Sequence, residues 1–292
     1  MEQPPSRKQR PRLRAAAPVV PALAFTLIFF IAPLALLLAY SLFEFSGGEV
    51  AYRLTLANYT ALLGSAFYLH IILRTFLVAL VTTLICVALG YPVAWQIARS
   101  GPRLRALMVL GIVMPLLIGG VIRGYGWILI LDRGGAINHA LLALGLAQAP
   151  LPMLYNFFGV TLTMVEVLLP FFVLPLVGVL SNMDPALERA ALSMGASRLQ
   201  TFLRVSLPLS AGGVAAGASI VFSLAASIFV IPQIIGGPSY LLLSTLAYQQ
   251  IGSVGNWPFG SAVLVLILVI TLVVLTVGSR VVSGNIRRLQ EN

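Results

Sequence analysis

The segment Leu187–Leu209, with the sequence LERAALSMGASRLQTFLRVSLPL, is the most informative stretch of this chain. It is the only long stretch between apolar segments whose pattern predicts amphipathic helices exposed to water. The segments on either side of it consist mainly of residues suited to lipid. A loop of this kind in a membrane protein favours contact with a soluble partner, whose movement the loop would pass on to the membrane spans.

Composition places the rest of the chain in a membrane. Of its 292 residues, 59% are hydrophobic and 9% are charged, and the mean hydropathy is +1.00. Soluble domains carry about 25% charged residues, and a soluble core could not cover this much apolar surface. The composition therefore predicts a polytopic membrane protein.

Six apolar segments are long enough to cross a bilayer, which takes about 20 residues as a helix. We therefore predict an all-α fold with six transmembrane helices at residues 19–43, 70–98, 104–131, 157–181, 207–235 and 259–282. The apolar part of the first segment is too long for a cleaved signal peptide. The predicted organisation is a basic N-terminal tail at 1–18, a membrane domain at 19–283 with a loop at 184–208, and a C-terminal tail at 284–292.

The positive charges predict which way the chain crosses the membrane. The formal net charge is +10, and every basic residue except Lys8 is an arginine. Most of them flank the ends of apolar segments on one side, as in membrane proteins whose basic loops stay in the cytoplasm. Both termini are therefore predicted to be cytoplasmic, and nucleic acid is not an expected partner.

Aromatic residues gather near the predicted outer ends of the spans. They are Tyr125, Trp127, Tyr155, Phe157, Tyr240, Tyr248 and Trp257. Such residues form a belt at the level of the lipid headgroups, or they stack on a ligand. The sequence leaves both interpretations open.

The chain lacks the residues that most catalytic sites require. A phosphate-binding P-loop ends in a Gly-Lys pair, and the only lysine, Lys8, lies in the N-terminal tail. Any ATP hydrolysis is therefore expected on another subunit. His70, His139 and the single Cys86 show no metal-binding spacing. We predict no catalytic residue, no metal site and no cofactor, which also disfavours a membrane-embedded enzyme.

Two charged residues fall within predicted spans. Arg123 and Glu166 lie about eight and nine residues from the outer ends of neighbouring spans, and therefore at similar depth. Charges in hydrocarbon face a bundle interior or a watery pathway. The two side chains either pair with each other, or Glu166 contacts a cationic substrate. We place both in a candidate substrate pathway with Tyr125 and Trp127.

The loop at 184–208, which we call the knuckle, is predicted to begin with a short helix. Asp184 is a suitable N-cap and Pro185 suits the first helical position. Gly195 interrupts this helix. Four apolar residues of the helix recur at helical spacing and predict one stripe: Leu187, Ala190, Ala191 and Met194.

A second short helix is predicted after Gly195. Ser197 and Gln200 have the spacing of a capping box. Its apolar face would consist of Leu199, Phe202 and Leu203, and Pro208 would begin the fifth span. Two short helices joined at a glycine suit insertion into a groove on a soluble protein, although such helices can also lie on a lipid surface.

The spacing of the knuckle resembles the signature loop of the inner-membrane permeases of binding-protein-dependent ABC importers. That loop reads Glu-Ala-Ala, three residues, Gly, nine residues, Ile-x-Leu-Pro. This chain has Arg189-Ala190-Ala191, then Gly195, then Val205-Ser206-Leu207-Pro208 at the same intervals. It departs from the family where Arg189 replaces the glutamate, with Glu188 one residue earlier as a candidate substitute. The resemblance implies docking on an ATPase through Glu188, Arg189, Ala190, Ala191, Gly195, Val205, Leu207 and Pro208.

Other stretches resemble the spermidine/putrescine permease branch, especially its first subunit. They are Leu56-Ala57-Asn58-Tyr59, Gly90-Tyr91-Pro92-Val93-Ala94-Trp95, Ile122-Arg123-Gly124-Tyr125-Gly126 and Asn256-Trp257-Pro258-Phe259-Gly260. The resemblance implies the MetI-like fold of type I importers in a bacterial inner membrane. It also implies a second homologous permease, two copies of a cytoplasmic ATP-binding subunit and a solute-binding protein on the outer face.

The function expected from these features is alternating access in an ATP-driven importer. The expected substrate is a small organic cation, in particular a polyamine. Relatives that carry iron, thiamine, phosphonate, opines or amino acid derivatives share much of the pattern, so that these substrates are the alternative. A stand-alone secondary transporter is a further alternative, which the lack of internal repeats and charged relay residues disfavours.

Overall fold

The structure is a computed structural model that describes residues 19–290, with side chains from Pro21 to Arg280 except those of 22 and 279. The predicted N-terminal tail lies outside these residues. The long helices are α1 (Val19–Ser41), α3 (Ala66–Arg99), α7 (Phe157–Ser181), α10 (Leu207–Ser227) and α13 (Trp257–Gln290). The shorter helices are α2 (Ala57–Gly64), α4 (Pro102–Val113), α5 (Gly120–Leu131), α6 (Ala136–Ala143), α8 (Pro185–Ser193), α9 (Arg198–Thr201), α11 (Val230–Ile235) and α12 (Leu243–Gln249).

The predicted helical membrane fold is confirmed. Within the described residues, 5 helices are long and apolar enough to cross a membrane, or up to 6 if one bent pair counts as a span. The bounds of two predicted spans differ from those of their helices. Helix α3 begins at Ala66, before residue 70, and α13 continues to Gln290, past residue 282.

The third predicted span is not one straight helix. The helical segments Pro102–Leu117 and Gly120–Ala143 meet at an angle of 97°. A 3₁₀ turn that contains Pro115 ends the first segment, and Ile118 after it is extended. Proline and paired glycines at Gly119–Gly120 allow the chain to turn here, so the span predicted over 104–131 is broken into two helical segments.

The fifth predicted span also ends early. Helix α10 stops at Ser227, and Ile228 adopts an extended conformation before α11 begins at Val230. The carbonyl of Ile228 accepts a hydrogen bond of 2.9 Å from the Ser244 hydroxyl. A carbonyl released from the helix is thereby satisfied inside the protein, as a break within a membrane requires.

Helices α3, α7 and α10 pack closely around Phe172, which is fully buried. Gly90 of α3 lies against one edge of the ring, where a Cβ would come within 2.5 Å of Phe172 Cδ1. Gly217 of α10 lies against the other edge, where a Cβ would lie 2.9 Å from Phe172 Cδ2. Cys86 Sγ also donates to the Val165 carbonyl across α3 and α7 at 3.7 Å. Small residues at such contacts let membrane helices approach closely.

A short antiparallel hairpin follows α1, and the all-α prediction missed it. Strands β1 (Phe43–Ser46) and β2 (Glu49–Leu54) pair across Gly47 and Gly48. Both glycines have positive φ, +64° and +88°. Two residues in this conformation form the turn that best matches the twist of a two-stranded hairpin.

Candidate coupling site and membrane-buried ion pair

The first helix of the knuckle, α8, begins and ends as the sequence predicts. Asp184 Oδ1 accepts a hydrogen bond of 2.8 Å from the Ala186 amide, and Pro185 occupies the first turn. At the other end Gly195 has φ +87°, and its amide donates to the Leu192 carbonyl at 3.0 Å. Glycine suits this left-handed position because it has no Cβ to clash.

The second helix of the knuckle begins with the predicted capping box. Ser197 Oγ accepts from the Gln200 amide at 3.2 Å, and Gln200 Oε1 accepts from the Ser197 amide at 2.9 Å. The helix is nevertheless not separate, because α9 continues through a π-helical turn into α10. In that turn the Leu207 amide donates to the Phe202 carbonyl, five residues back. The wider turn accommodates Pro208, which lacks an amide proton, so the fifth span does not begin at this proline.

The predicted apolar stripe of α8 is mostly on the surface. Of its four residues only Ala191 is buried, while Met194 is 83% exposed. At about 100° per residue, the buried side of α8 is the one that carries Glu188 and Ala191. The opposite, exposed side, which we call the outer face, consists of Arg189, Ala190, Ser193 and Met194.

Glu188 joins the knuckle to the end of α3. Its Oε1 lies 2.5 Å from Arg99 Nη2 and accepts from Ser206 Oγ at 3.5 Å. Arg99 also lies over the ring of Trp95, 5.1 Å from its centroid, and donates to the Met183 carbonyl at 3.4 Å. Sequence reasoning missed the role of Arg99, although a basic residue in the last turn of a helix is a known signal.

A cavity of about 840 Å³ lies between the knuckle and α3. Its walls include Tyr91 and Trp95 of α3 together with Leu192 and Phe202 of the knuckle. The rings of Tyr91 and Phe202 meet edge to face, with centroids 5.2 Å apart. The Tyr91 hydroxyl lies 2.8 Å from Ser210 Oγ. These contacts connect α3 to the second half of the knuckle and to α10.

The two charges predicted within the spans are in contact. Arg123 Nε lies 3.8 Å from Glu166 Oε1, and Trp127 Nε1 donates to Glu166 Oε2 at 3.3 Å. The side chain of Arg123 is 9% exposed and that of Glu166 is 34% exposed. The ion-pair interpretation is thus what the structure shows, while part of the carboxylate remains accessible. Tyr125 is 61% exposed and, two residues after Arg123, faces the opposite side of α5, so it does not join this cluster.

Close packing of α5 on α11 holds the ion pair in place. A Cβ at Gly124 would lie 2.9 Å from Ile234 Cδ1, which shows how near the two helices come. Within the described chain, Arg123 Nη2 is buried without a hydrogen-bond partner. Such an atom is costly to bury, and a polar group entering the cluster would lower that cost.

Several of the predicted outer aromatics contact other protein groups. Arg74 lies over the Tyr240 ring, 4.4 Å from its centroid, and Phe229 stacks on Tyr248 at 5.0 Å. Burial raises the pKa of the Tyr240 hydroxyl above its usual value, and the Arg74 guanidinium acts in the opposite direction. The role of the other rings as a headgroup belt or a ligand surface stays a prediction.

No metal site is visible in residues 19–290: these residues contain no group of three or more His, Cys, Asp or Glu side chains that could hold an ion. His70 Nδ1 instead lies 2.7 Å from the Ala66 carbonyl. Two features of the structure remain as candidates for function. One is the outer face of the knuckle, and the other is the cluster of Arg123, Trp127 and Glu166.

Sequence comparison identifies relatives over most of the chain. Residues 103–288 match the family described as binding-protein-dependent transport system inner membrane component. The chain is 36% identical over 208 residues to the spermidine/putrescine transport system permease protein PotB of Escherichia coli (strain K12), covering 71% of this chain and 75% of PotB. PotB of Haemophilus influenzae is 34% identical over 239 residues, covering 81% and 83% of the two chains.

Solved structures share the fold. A bacterial ABC transporter that imports the acidic polysaccharide alginate aligns with a TM-score of 0.76 at 18% identity, over 93% of this chain and 96% of that chain. An inward-facing MetNI methionine ABC transporter aligns with a TM-score of 0.56 at 18% identity, over 76% and 99%. At this level of identity the likeness concerns the fold alone.

Proposed function

The chain belongs to the inner membrane components of binding-protein-dependent transport systems, and we propose that it lines the pathway of an ATP-driven polyamine importer. Its substrate would be spermidine, putrescine or a similar linear amine, as the printed names of its PotB relatives suggest. As a multi-pass permease of the inner membrane, it would have both termini in the cytoplasm.

The observation that carries the substrate proposal is the accessible carboxylate of Glu166 at depth in the spans. The cation that pairs with it, Arg123, approaches only to 3.8 Å. An ammonium group of a polyamine would compete for the same oxygens, and Trp127 beside it offers an aromatic edge and face. Charges at this depth are characteristic of substrate pathways.

The knuckle supports coupling to a separate ATPase. Its outer face is exposed, whereas its buried side contacts α3 through Glu188 and Arg99. A partner that binds the outer face would therefore move α8 and α3 together. We propose two copies of a cytoplasmic ATP-binding subunit, a second homologous permease and an external solute-binding protein as partners. One structural neighbour is an alginate transporter in complex with a substrate-bound periplasmic protein.

Nucleotide hydrolysis is assigned to the partner subunit, and no residue of this chain is proposed as catalytic. The candidate P-loop lysine is missing, since Lys8 lies in the N-terminal tail. Alternating access would then follow from ATP-driven closure of the partner subunits. The resulting motion of the knuckle would open the cavity to one side of the membrane and then to the other.

Uptake of labelled spermidine by the complete complex in proteoliposomes tests this proposal. Glu166→Gln keeps the size of the side chain and removes its charge, so we expect uptake to fall by about tenfold or more while the complex still assembles. Glu49→Gln, in the exposed hairpin, is the matched control and should leave uptake unchanged.

Two results would contradict the proposal. Spermidine uptake that is indifferent to Glu166→Gln would remove this carboxylate from the pathway. Uptake by the isolated chain, driven by a proton or sodium gradient without ATP, would show a secondary transporter instead.

A further inference from the structure

Two neighbouring residues of α8 with opposite charge have different surroundings. Glu188 turns toward the body of the protein, where its side chain is 15% exposed. Arg189, about 100° further round the helix, is exposed on the outer face. The sign of the charge that a docking partner meets is therefore set by Arg189.

Glu188 points away from the outer face and lines the cavity between the knuckle and α3. One of its oxygens is held by Arg99 Nη2 at 2.5 Å and also accepts from Ser206. The other acidic residue of the knuckle, Asp184, is engaged as the N-cap of α8. Neither carboxylate belongs to the outer face, because Glu188 lines the cavity on the buried side of α8 and Asp184 precedes the helix.

Apart from the capping carboxylate of Asp184, the exposed charged side chains of the knuckle are all positive. Besides Arg189, the side chains of Arg198 and Arg204 are exposed. Apolar side chains lie between them, with Met194 83% and Leu199 66% exposed. An apolar surface with basic residues at its margin fits a groove with an apolar floor and an acidic rim, since like charges across an interface cost several kcal/mol.

We propose that the ATP-binding subunit presents a carboxylate to Arg189 of the knuckle. This inference rests on the proposed function and specifies the chemistry of its interface. In this pair the positive charge lies on the permease, whereas the family loop has a negative glutamate at the position of Arg189. A guanidinium pairs with a carboxylate through two parallel hydrogen bonds, which fixes the orientation of the helix as well as holding it.

Charge reversal at position 189 tests the proposal, because the two polarities predict opposite results. The permease complex is reconstituted in nanodiscs and titrated with the ATP-binding subunit that copurifies with it, and Kd is measured at low and high salt. We expect Arg189→Glu to weaken binding by about tenfold or more, and Arg189→Lys to stay within about threefold. The wild-type Kd should rise with salt. Arg103→Glu makes the same charge change on the same side, in the exposed first turn of α4, and should leave Kd unchanged.

The remaining outcomes overturn the proposal in distinguishable ways. Tighter binding of Arg189→Glu would reveal a basic groove, and an unchanged Kd would show that position 189 does not face a charge. Absence of binding by the wild-type complex would refute the proposed function itself, whatever the variants do.

Discussion

Replacement of Gly217 by alanine is expected to destabilise the packing of α3, α7 and α10. The new Cβ would lie 2.9 Å from Phe172 Cδ2 and 3.0 Å from the Phe172 carbonyl oxygen. The ring cannot move away, because its opposite edge already lies against Gly90, where a Cβ would come within 2.5 Å. The backbone oxygen cannot turn aside either, so the helices must separate.

The magnitude follows from two opposing effects. Overpacking of a close-packed core costs about 1–3 kcal/mol, and alanine gains up to about 1 kcal/mol over glycine in helix propensity. With the full propensity gain, we therefore expect Gly217→Ala to lower the free energy of unfolding by up to about 2 kcal/mol. Gly212 lies on the same helix with no atom within 4 Å of its virtual Cβ, so Gly212→Ala should be neutral or slightly stabilising.

The assay is unfolding of the purified complex by a graded denaturing detergent, with helicity as the signal. A clear gap between the two alanine variants supports the packing described. Equal stability of Gly217→Ala and Gly212→Ala would refute it, because the propensity gain is the same at both positions.

Three further changes test the knuckle. Glu188→Gln should reduce spermidine-stimulated ATPase activity, because it leaves Arg99 without its counterion. Exchange of both charges, Glu188→Arg with Arg99→Glu, should restore part of this activity. If the exchange recovers none, the ion pair does not couple the knuckle to α3. Gly195→Val should uncouple uptake from ATP hydrolysis more than Gly195→Asn, because asparagine tolerates a positive φ; equal effects would contradict a backbone cause. Ser197→Ala should cost about 1 kcal/mol through loss of the cap, measured by thermal unfolding, and no loss would show that the capping box is dispensable.

Local signals in the sequence were sufficient to predict the ends of α8 and the start of α9. Asp184, Pro185, Gly195, Ser197 and Gln200 act on backbone groups within four residues, and the structure shows the caps and the positive φ that these residue types favour. Long apolar segments likewise predict helices, because in lipid the backbone must satisfy its own hydrogen bonds.

Features that depend on distant contacts were missed. The contact of α8 with the rest of the protein involves Arg99, which lies 89 residues before Glu188 in sequence, so the apolar spacing of α8 alone could not show which of its sides is buried. The break after Ser227 depends on Ser244, which satisfies a released carbonyl. The hairpin is different, because Gly47 and Gly48 between alternating residues are a local signal for a two-residue turn.

Site-directed crosslinking can detect the proposed contact between the outer face of the knuckle and an ATPase. Met194→Cys places a thiol where the side chain is 83% exposed, and the native Cys86 is buried. In intact cells this variant should crosslink to the ATP-binding subunit, whereas Leu144→Cys, 72% exposed directly after α6, should not. Labelling of Met194→Cys by a membrane-impermeant reagent added outside the cell, without any crosslink to the ATPase, would contradict the account.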